Sequence, residues 1–150
     1  MRVVFVCAGN TCRSPMAEAL LKRALKARGR EDIQVESAGL SATPGEPANW
    51  NACLAMKELG IQLNLHRARP LYDKNLEGAL VLAMTRAQAD YVKLVFPGAR
   101  VDALRDYAGL GGDVDDPYGG PPEVYMRTAL RIAEAVEAAA DKIIQEAKNP

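Results

Sequence analysis

The sequence predicts an α/β fold in three layers, a four-stranded parallel sheet with helices on both faces, and three observations carry that prediction. Short apolar runs alternate along the chain with stretches of helical periodicity, which implies βαβ crossovers and parallel pairing. The first run, Val3-Val4-Phe5-Val6, is continuous rather than alternating, as a strand covered on both faces must be. Composition agrees: of 150 residues, 49% are hydrophobic but only 5% aromatic. The abundant Ala, Leu and Val suit helices packed on a buried sheet better than a β-sandwich. The length is that of one compact domain, and residues 1–150 are read as one.

The elements follow in order. After the central strand at 3–6, Gly9 and Asn10 break the pattern. Ser14-Pro15-Met16-Ala17-Glu18 then reads as an N-cap, a Pro at the first helical position and an acid in the first turn. The helix runs to about Arg28. It buries Met16, Ala17, Leu20, Leu21, Ala24 and Leu25 and turns the basic residues Lys22, Arg23, Lys26 and Arg28 to solvent. Gly29 stops it, and Ile33-Gln34-Val35-Glu36 alternates as an edge strand. Residues 37–49 are small and turn-prone and predict a loop. Pro47 opens a helix through Leu59 that Gly60 closes, with Cys53 in its core face. Leu80–Met84 is a third, buried strand, and Thr85 caps a helix that Pro97-Gly98 ends after Phe96. Val101–Leu104 is a short fourth strand. Residues 105–122 predict a long Gly- and Asp-rich loop, a length that in a compact domain signals function or mobility. The last helix, from about Pro122 to Lys148, is expected to bury Met126, Leu130, Ala133, Val136, Ala140 and Ile144.

Charge narrows the function. Lys plus Arg number 19 and Asp plus Glu number 19, so no global field draws the chain to nucleic acid or to an anionic membrane, and neither is expected as a partner. No apolar run approaches the roughly 20 residues that span a bilayer, and the Met-Arg-Val-Val-Phe-Val start lacks the flanks of a signal peptide. Cytoplasm is the expected location. Three Cys are too few for a disulfide framework, and an odd number fits a reducing compartment in which one thiol is used chemically. His66, the single His, excludes a His-based triad or a multi-His metal site and is expected on the surface beside Arg67 and Arg69. Neither a Walker loop nor a G-x-G-x-x-G is present. No metal and no cofactor are expected.

In parallel sheets ligands bind beyond the carboxyl ends of the strands, which directs attention to Cys7-Ala8-Gly9-Asn10-Thr11-Cys12-Arg13-Ser14-Pro15. Gly9 and Asn10 admit the positive φ that turns successive backbone N–H groups toward one point. The amides from Ala8 to Ser14, with a helix N-terminus behind them, then form a cradle for a tetrahedral dianion. That field favours the thiolate of Cys7, and a thiolate beneath a bound phosphate is an in-line nucleophile. Arg13 offers its planar fork to two equatorial oxygens. Ser14 is placed to cap the helix and to steady the thiolate. A leaving group also needs a proton from a loop that reaches over the anion. Asp113, Asp115 and Asp116 lie in the long loop, and Asp116 is preferred because Pro117 holds it extended.

The run from Val6 to Pro15 resembles the phosphate-binding loop of the low-molecular-weight protein tyrosine phosphatases. Asp116-Pro117-Tyr118 resembles their general-acid loop. The similarity continues through Ser37-Ala38-Gly39 and Leu82-Ala83-Met84-Thr85. The resemblance implies that fold, hydrolysis of phosphorylated protein side chains through a phosphocysteine, Cys7 as nucleophile, Arg13 as phosphate ligand and Asp116 as proton donor. In that family a second Cys in the loop, here Cys12, can form a reversible disulfide with the nucleophile; the plainer reading of Cys12 is a small residue tolerated in a tight turn.

Selectivity is read from Thr11, Thr43 and Tyr118. Thr11 stands where tyrosine-specific members commonly carry Ile, and Ala42-Thr43-Pro44 is small where they often place an aromatic. The chain therefore looks more like the protein-arginine phosphatase branch, with protein-tyrosine phosphatase as the alternative, because Tyr118 keeps one aromatic wall. Arsenate reduction would need further thiols to relay a disulfide, and residues 54–150 contain no Cys. A module that only binds phosphoproteins would need neither the thiolate of Cys7 nor the acid of Asp116.

Overall fold

The computed structural model describes residues 1–148. Four strands, β1 (Arg2–Cys7), β2 (Gln34–Gly39), β3 (Ala79–Ala83) and β4 (Arg100–Ala103), form one sheet in the order β2-β1-β3-β4. Every pairing is parallel, with Phe5 opposite Ser37 on one side and Leu82 on the other. Helices α1 (Arg13–Ala27), α2 (Trp50–Glu58), α3 (Asp73–Leu76), α4 (Arg86–Val95), α5 (Leu104–Tyr107) and α6 (Pro122–Ala147) complete it.

The continuous apolar run of β1 is explained by two cores. Val3 and Phe5 point into a core built with α1, α2 and α6, while Val4 and Val6 point into a second one under α3 and α4. The three predicted layers are present. Successive connections leave β1 first toward β2 and then cross to β3 on its other side, so the carboxyl end of β1 lies at the topological switch point of the sheet.

Several local expectations are corrected. Ser14 is not the cap of α1: the helix begins at Arg13, Cys12 occupies the cap position without a side-chain bond, and the first turn holds no acid. Pro15 fits because a first-turn residue has no helical partner for its N–H. The second strand continues through Ser37-Ala38-Gly39, since small residues pair as well as large ones where the neighbour is β1. Helix α2 starts at Trp50 rather than Pro47, because the Asn49 side chain accepts from the N–H groups of Asn51 and Ala52 and defines the N-terminus there. The Thr85 cap of α4 is found, with Oγ1 accepting from Gln88 N at 3.1 Å. Residues 105–122 are not one open loop, for α5 occupies their start.

The buried face of α6 is rotated by about one residue from the expected one. It comprises Tyr125, Ala129, Ile132, Val136, Ala139, Ala140 and Ile143, whereas Leu130 is 50% exposed. Four of the nine buried residues are alanines, so the larger side chains did not mark the core. The basic face of α1 is partly tied down, as Arg28 bridges to Glu137 and Asp141 of α6. Among the described residues, no helix is long and apolar enough to cross a membrane.

Candidate active site

Residues 8–12 join the end of β1 to the start of α1. Asn10 is fully buried with φ of 57°, a left-handed conformation that Asn tolerates better than most residues. This reversal sends the turn's carbonyls outward, and the surrounding protein answers them. Cys7 O accepts from Leu40 N at 2.9 Å, Ala8 O from Ser41 N at 2.9 Å, Thr11 O from Asn49 N at 2.8 Å and Cys12 O from Met16 N at 3.2 Å. His66 Nε2 lies 2.7 Å from Asn10 O. No bond that ties the turn to its described surroundings uses an N–H of residues 8–12 as donor. An anion cradle requires amides that the protein leaves without an acceptor.

The Asn10 side chain holds the reversal in place. Its amide donates to Ser14 Oγ at 2.8 Å and Ser37 Oγ at 2.9 Å, and its Oδ1 accepts from Arg69 N at 3.0 Å. Ser37 passes its own proton to Glu18 at 2.6 Å. Because the Ser14 oxygen receives the Asn10 amide, its hydroxyl proton is free to point at Cys7 Sγ, 2.9 Å away. Ser14 is thus turned toward the sulfur rather than toward the helix backbone.

Arg13 is the first residue of α1, with its side chain 5% exposed. One Nη donates to Val114 O at 2.9 Å, and the other lies 3.6 Å from Asp116 Oδ2, too far for a hydrogen bond. Most of the guanidinium fork is therefore unengaged by protein in a buried place. Asp116 is 51% exposed and its Oδ1 accepts from Tyr118 N at 3.1 Å. The segment that carries it is anchored from below. Val114 N donates to Met84 O at the end of β3, Arg131 holds Asp113 O, Arg86 N reaches the Asp113 carboxylate, and the nearly buried Arg105 holds Gly111 O and Glu134.

The structure thus brings together Cys7, Arg13, Ser14 and Asp116 with the turn from Ala8 to Cys12. Thr11 is partly exposed on the rim, and Tyr118 stands on the acid segment with 77% of its surface exposed. Thr43 is exposed in the following turn, where its carbonyl accepts from Glu46 N, and no bond ties it to the cradle. Cys7, Cys12 and Cys53 are free thiols. Burial pushes the Cys12 thiol up to about 11, only partly offset by hydrogen bonds from Thr11 and Tyr125. Among the described residues no three His, Cys, Asp or Glu side chains converge as a metal site would need.

Four contributors were not expected from the sequence: Gly39, Asn49, His66 and Val114. His66 is half-buried against Asn10 rather than a surface residue. Gly39 is required by space, since a Cβ there would lie 2.8 Å from Ala8 O and 2.8 Å from the Ala42 side chain.

The model of the family described as low molecular weight phosphotyrosine protein phosphatase matches residues 2–149. A protein-arginine-phosphatase from Geobacillus stearothermophilus is 38% identical over 149 residues, covering 97% of each chain. The structure of a Cys-to-Ser mutant of the YwlE arginine phosphatase with a phosphorylated active-site serine superposes with a TM-score of 0.91 at 39% identity, covering 99% of this chain and 98% of that one. A low molecular weight protein tyrosine phosphatase from T. tengcongensis gives a TM-score of 0.89 at 42% identity, with 95% and 99% covered.

Gly39→Ala is expected to destabilise the fold by about 1–3 kcal/mol, because its methyl group meets the back of the cradle. Chemical denaturation measures this, and an unchanged midpoint would mean that the Ala8 carbonyl yields without penalty.

Proposed function

The chain belongs to the low molecular weight phosphotyrosine protein phosphatase family and is a cysteine-dependent phosphatase of phosphoproteins; on that premise we propose that Cys7 carries the phosphoryl group and that phosphoarginine is the preferred substrate. The observation that supports this reading is the turn after β1, whose carbonyls are bonded to the surrounding protein and beside which the Cys7 sulfur lies 2.9 Å from Ser14 Oγ.

In the proposed reaction the cradle amides and the Arg13 fork bind the three non-bridging oxygens. The Cys7 sulfur attacks phosphorus in line while the bond to the leaving nitrogen breaks, and Asp116 delivers the proton which that nitrogen needs. Charge that spreads over the equatorial oxygens is met by Arg13 and the amides, the service that Mg²⁺ gives in kinases. Water then attacks the phosphocysteine, the Asp116 carboxylate takes its proton, and Ser14 donates to the departing thiolate. The substrates are phosphorylated proteins, with neither nucleic acid nor membrane as partner, and the three unpaired thiols fit the cytoplasm.

For the side chain recognised, Thr11 is the principal support. Thr11 is a partly exposed member of the turn whose hydroxyl can hydrogen-bond to a forked, polar guanidinium, while its carbonyl is fixed by Asn49. The relatives named as arginine phosphatases add to it. Tyrosine is the second reading, favoured by the exposed ring of Tyr118 and by the tyrosine phosphatase from T. tengcongensis.

Thr43 is proposed only as an outer contact of the substrate. Cys12 is proposed as a redox partner: hydrogen peroxide oxidises the Cys7 thiolate to a sulfenic acid, and the Cys12 sulfur displaces water from it to close a disulfide that thiols reopen.

Three outcomes are expected. Turnover on phosphoarginine protein exceeds that on phosphotyrosine protein, and Thr11→Ile narrows or reverses the ratio; preference for phosphotyrosine in the parent would assign the chain to the second reading. Asp116→Asn slows kcat on a poor leaving group by roughly 10² to 10⁴ and leaves phosphate affinity nearly intact, whereas an unchanged kcat would put the acid elsewhere. Because burial raises the Cys12 thiol to about 11, little of it is thiolate at pH 7, so disulfide closure after peroxide should quicken as the pH rises from 7 to 9. Mass spectrometry of quenched samples follows that rate, and activity that no thiol restores would remove Cys12 from this role.

A further inference from the structure

Among the described residues, three arginine side chains hold backbone carbonyls of the segment that leads to Asp116. Arg105 Nε donates to Gly111 O at 2.8 Å, Arg131 Nε to Asp113 O at 2.8 Å and Arg13 Nη1 to Val114 O at 2.9 Å. Arg13 binds the phosphoryl group in the proposed reaction, and the nearly buried Arg105 also joins the segment to Glu134 of α6. Arg131 is an exposed residue of α6, a kind of surface cation that ordinarily counts for little.

Its bond falls on a peptide unit that is gripped at both ends. The unit between Asp113 and Val114 is planar; its carbonyl accepts from Arg131, and its N–H donates to Met84 O at the end of β3 at 2.9 Å. The next unit is held through Val114 O by Arg13. With the planes on both sides of the Val114 Cα held, both backbone torsions of that buried residue are set, and so is the course of the chain toward Asp116. The chain before this point supplies little stiffness of its own, since Gly111 and Gly112 lie at positive φ, 71° and 82°. Gly112 instead makes room for the arginine, because a Cβ on it would lie 2.8 Å from Arg131 Nη2.

We infer that Arg131 is a positioning residue for the general acid: by fixing the Asp113–Val114 peptide plane it sets where the Asp116 carboxyl stands relative to the leaving group. The inference rests on the reading of Asp116 as the acid and extends it to a residue outside the cradle. Without Arg131 the plane keeps only its N–H bond and can pivot about it. Asp116 lies at most about 7 Å further along the chain, so a pivot of about 10° shifts it by about 1 Å, a displacement that can slow the reaction up to roughly 10²-fold. The loss falls on the step that needs the proton, and a poor leaving group needs it far more than a good one.

The test measures kcat/KM on p-nitrophenyl phosphate, whose leaving group is good, and on phenyl phosphate, whose leaving group is poor. The proteins are the parent, Arg131→Met, Arg131→Lys, Asp116→Asn and the variant that combines Arg131→Met with Asp116→Asn. Methionine keeps the length of the side chain and removes its donors. Arg131→Met should lower kcat/KM on phenyl phosphate about tenfold and on p-nitrophenyl phosphate no more than twofold, and Arg131→Lys should fall between it and the parent. In the Asp116→Asn background the same substitution should change phenyl phosphate hydrolysis by less than twofold, because the group that it positions is gone.

Equal loss on the two esters, or a tenfold loss that persists beside Asp116→Asn, would overturn the positioning role, since either is what general damage to the fold produces. Parent-like activity of Arg131→Met on phenyl phosphate would overturn it as well. An Asp116→Asn variant as active as the parent on phenyl phosphate would remove the acid reading itself, a result distinct from failure of Arg131 alone.

Discussion

A turn that aims successive N–H groups at one point must send its carbonyls the opposite way, and carbonyls directed into protein need donors. That requirement organises much of this fold. Residues 8–12 reverse at the left-handed Asn10, and their outward carbonyls are met by the chain after β2, by the cap residue of α2 and by His66. None of these donors is near the turn in sequence. They are delivered by a parallel sheet in which β1 is central and β2 runs beside it as far as Gly39. The close approach of β2 explains the glycine, because Ala8 O occupies the space that a side chain at residue 39 would need.

Arg13 shows the complementary demand. A guanidinium taken out of water must be met by acceptors, and its desolvation is only repaid when several of its donors are engaged. Here the protein supplies one carbonyl, Val114 O, and a half-exposed carboxylate at 3.6 Å. Among the described residues the rest of the fork has no hydrogen-bond acceptor, and in the proposed function an oxyanion supplies it. The bond to Val114 therefore ties the segment that carries Asp116 to the cation.

What could be read in the sequence follows the range of the interaction. The strand, turn and helix from Val3 to Arg28 are contiguous, so apolar continuity, Gly9, Asn10 and Arg13 pointed to a site without tertiary information. Cys7 and Asp116, 109 positions apart, were legible for separate local reasons: one ends a buried strand, the other precedes Pro117. The supports were not legible. Asn49 reads as an ordinary polar turn residue, His66 as a surface side chain and Val114 as loop, and only the fold brings them to the turn. The face of α6 failed for another reason, since small residues at the helix contact carry little hydrophobic signal and the exposed Leu130 carries much.

The acid segment combines anchoring with exposure, and the two are compatible because they act on different atoms. Arg105, Arg131 and the Asp113 contacts fix its backbone on the protein side, while Asp116 is half exposed, hydrogen-bonded to its own turn through Tyr118 N and 3.6 Å from Arg13. In the proposed reaction that carboxyl gives a proton to the leaving group and later takes one from water, so it has to reach both substrate and solvent, and full burial would prevent the second exchange. An anchored backbone with an exposed carboxylate tip meets that need. The same segment carries the exposed Tyr118, two residues after Asp116, and leads into α6.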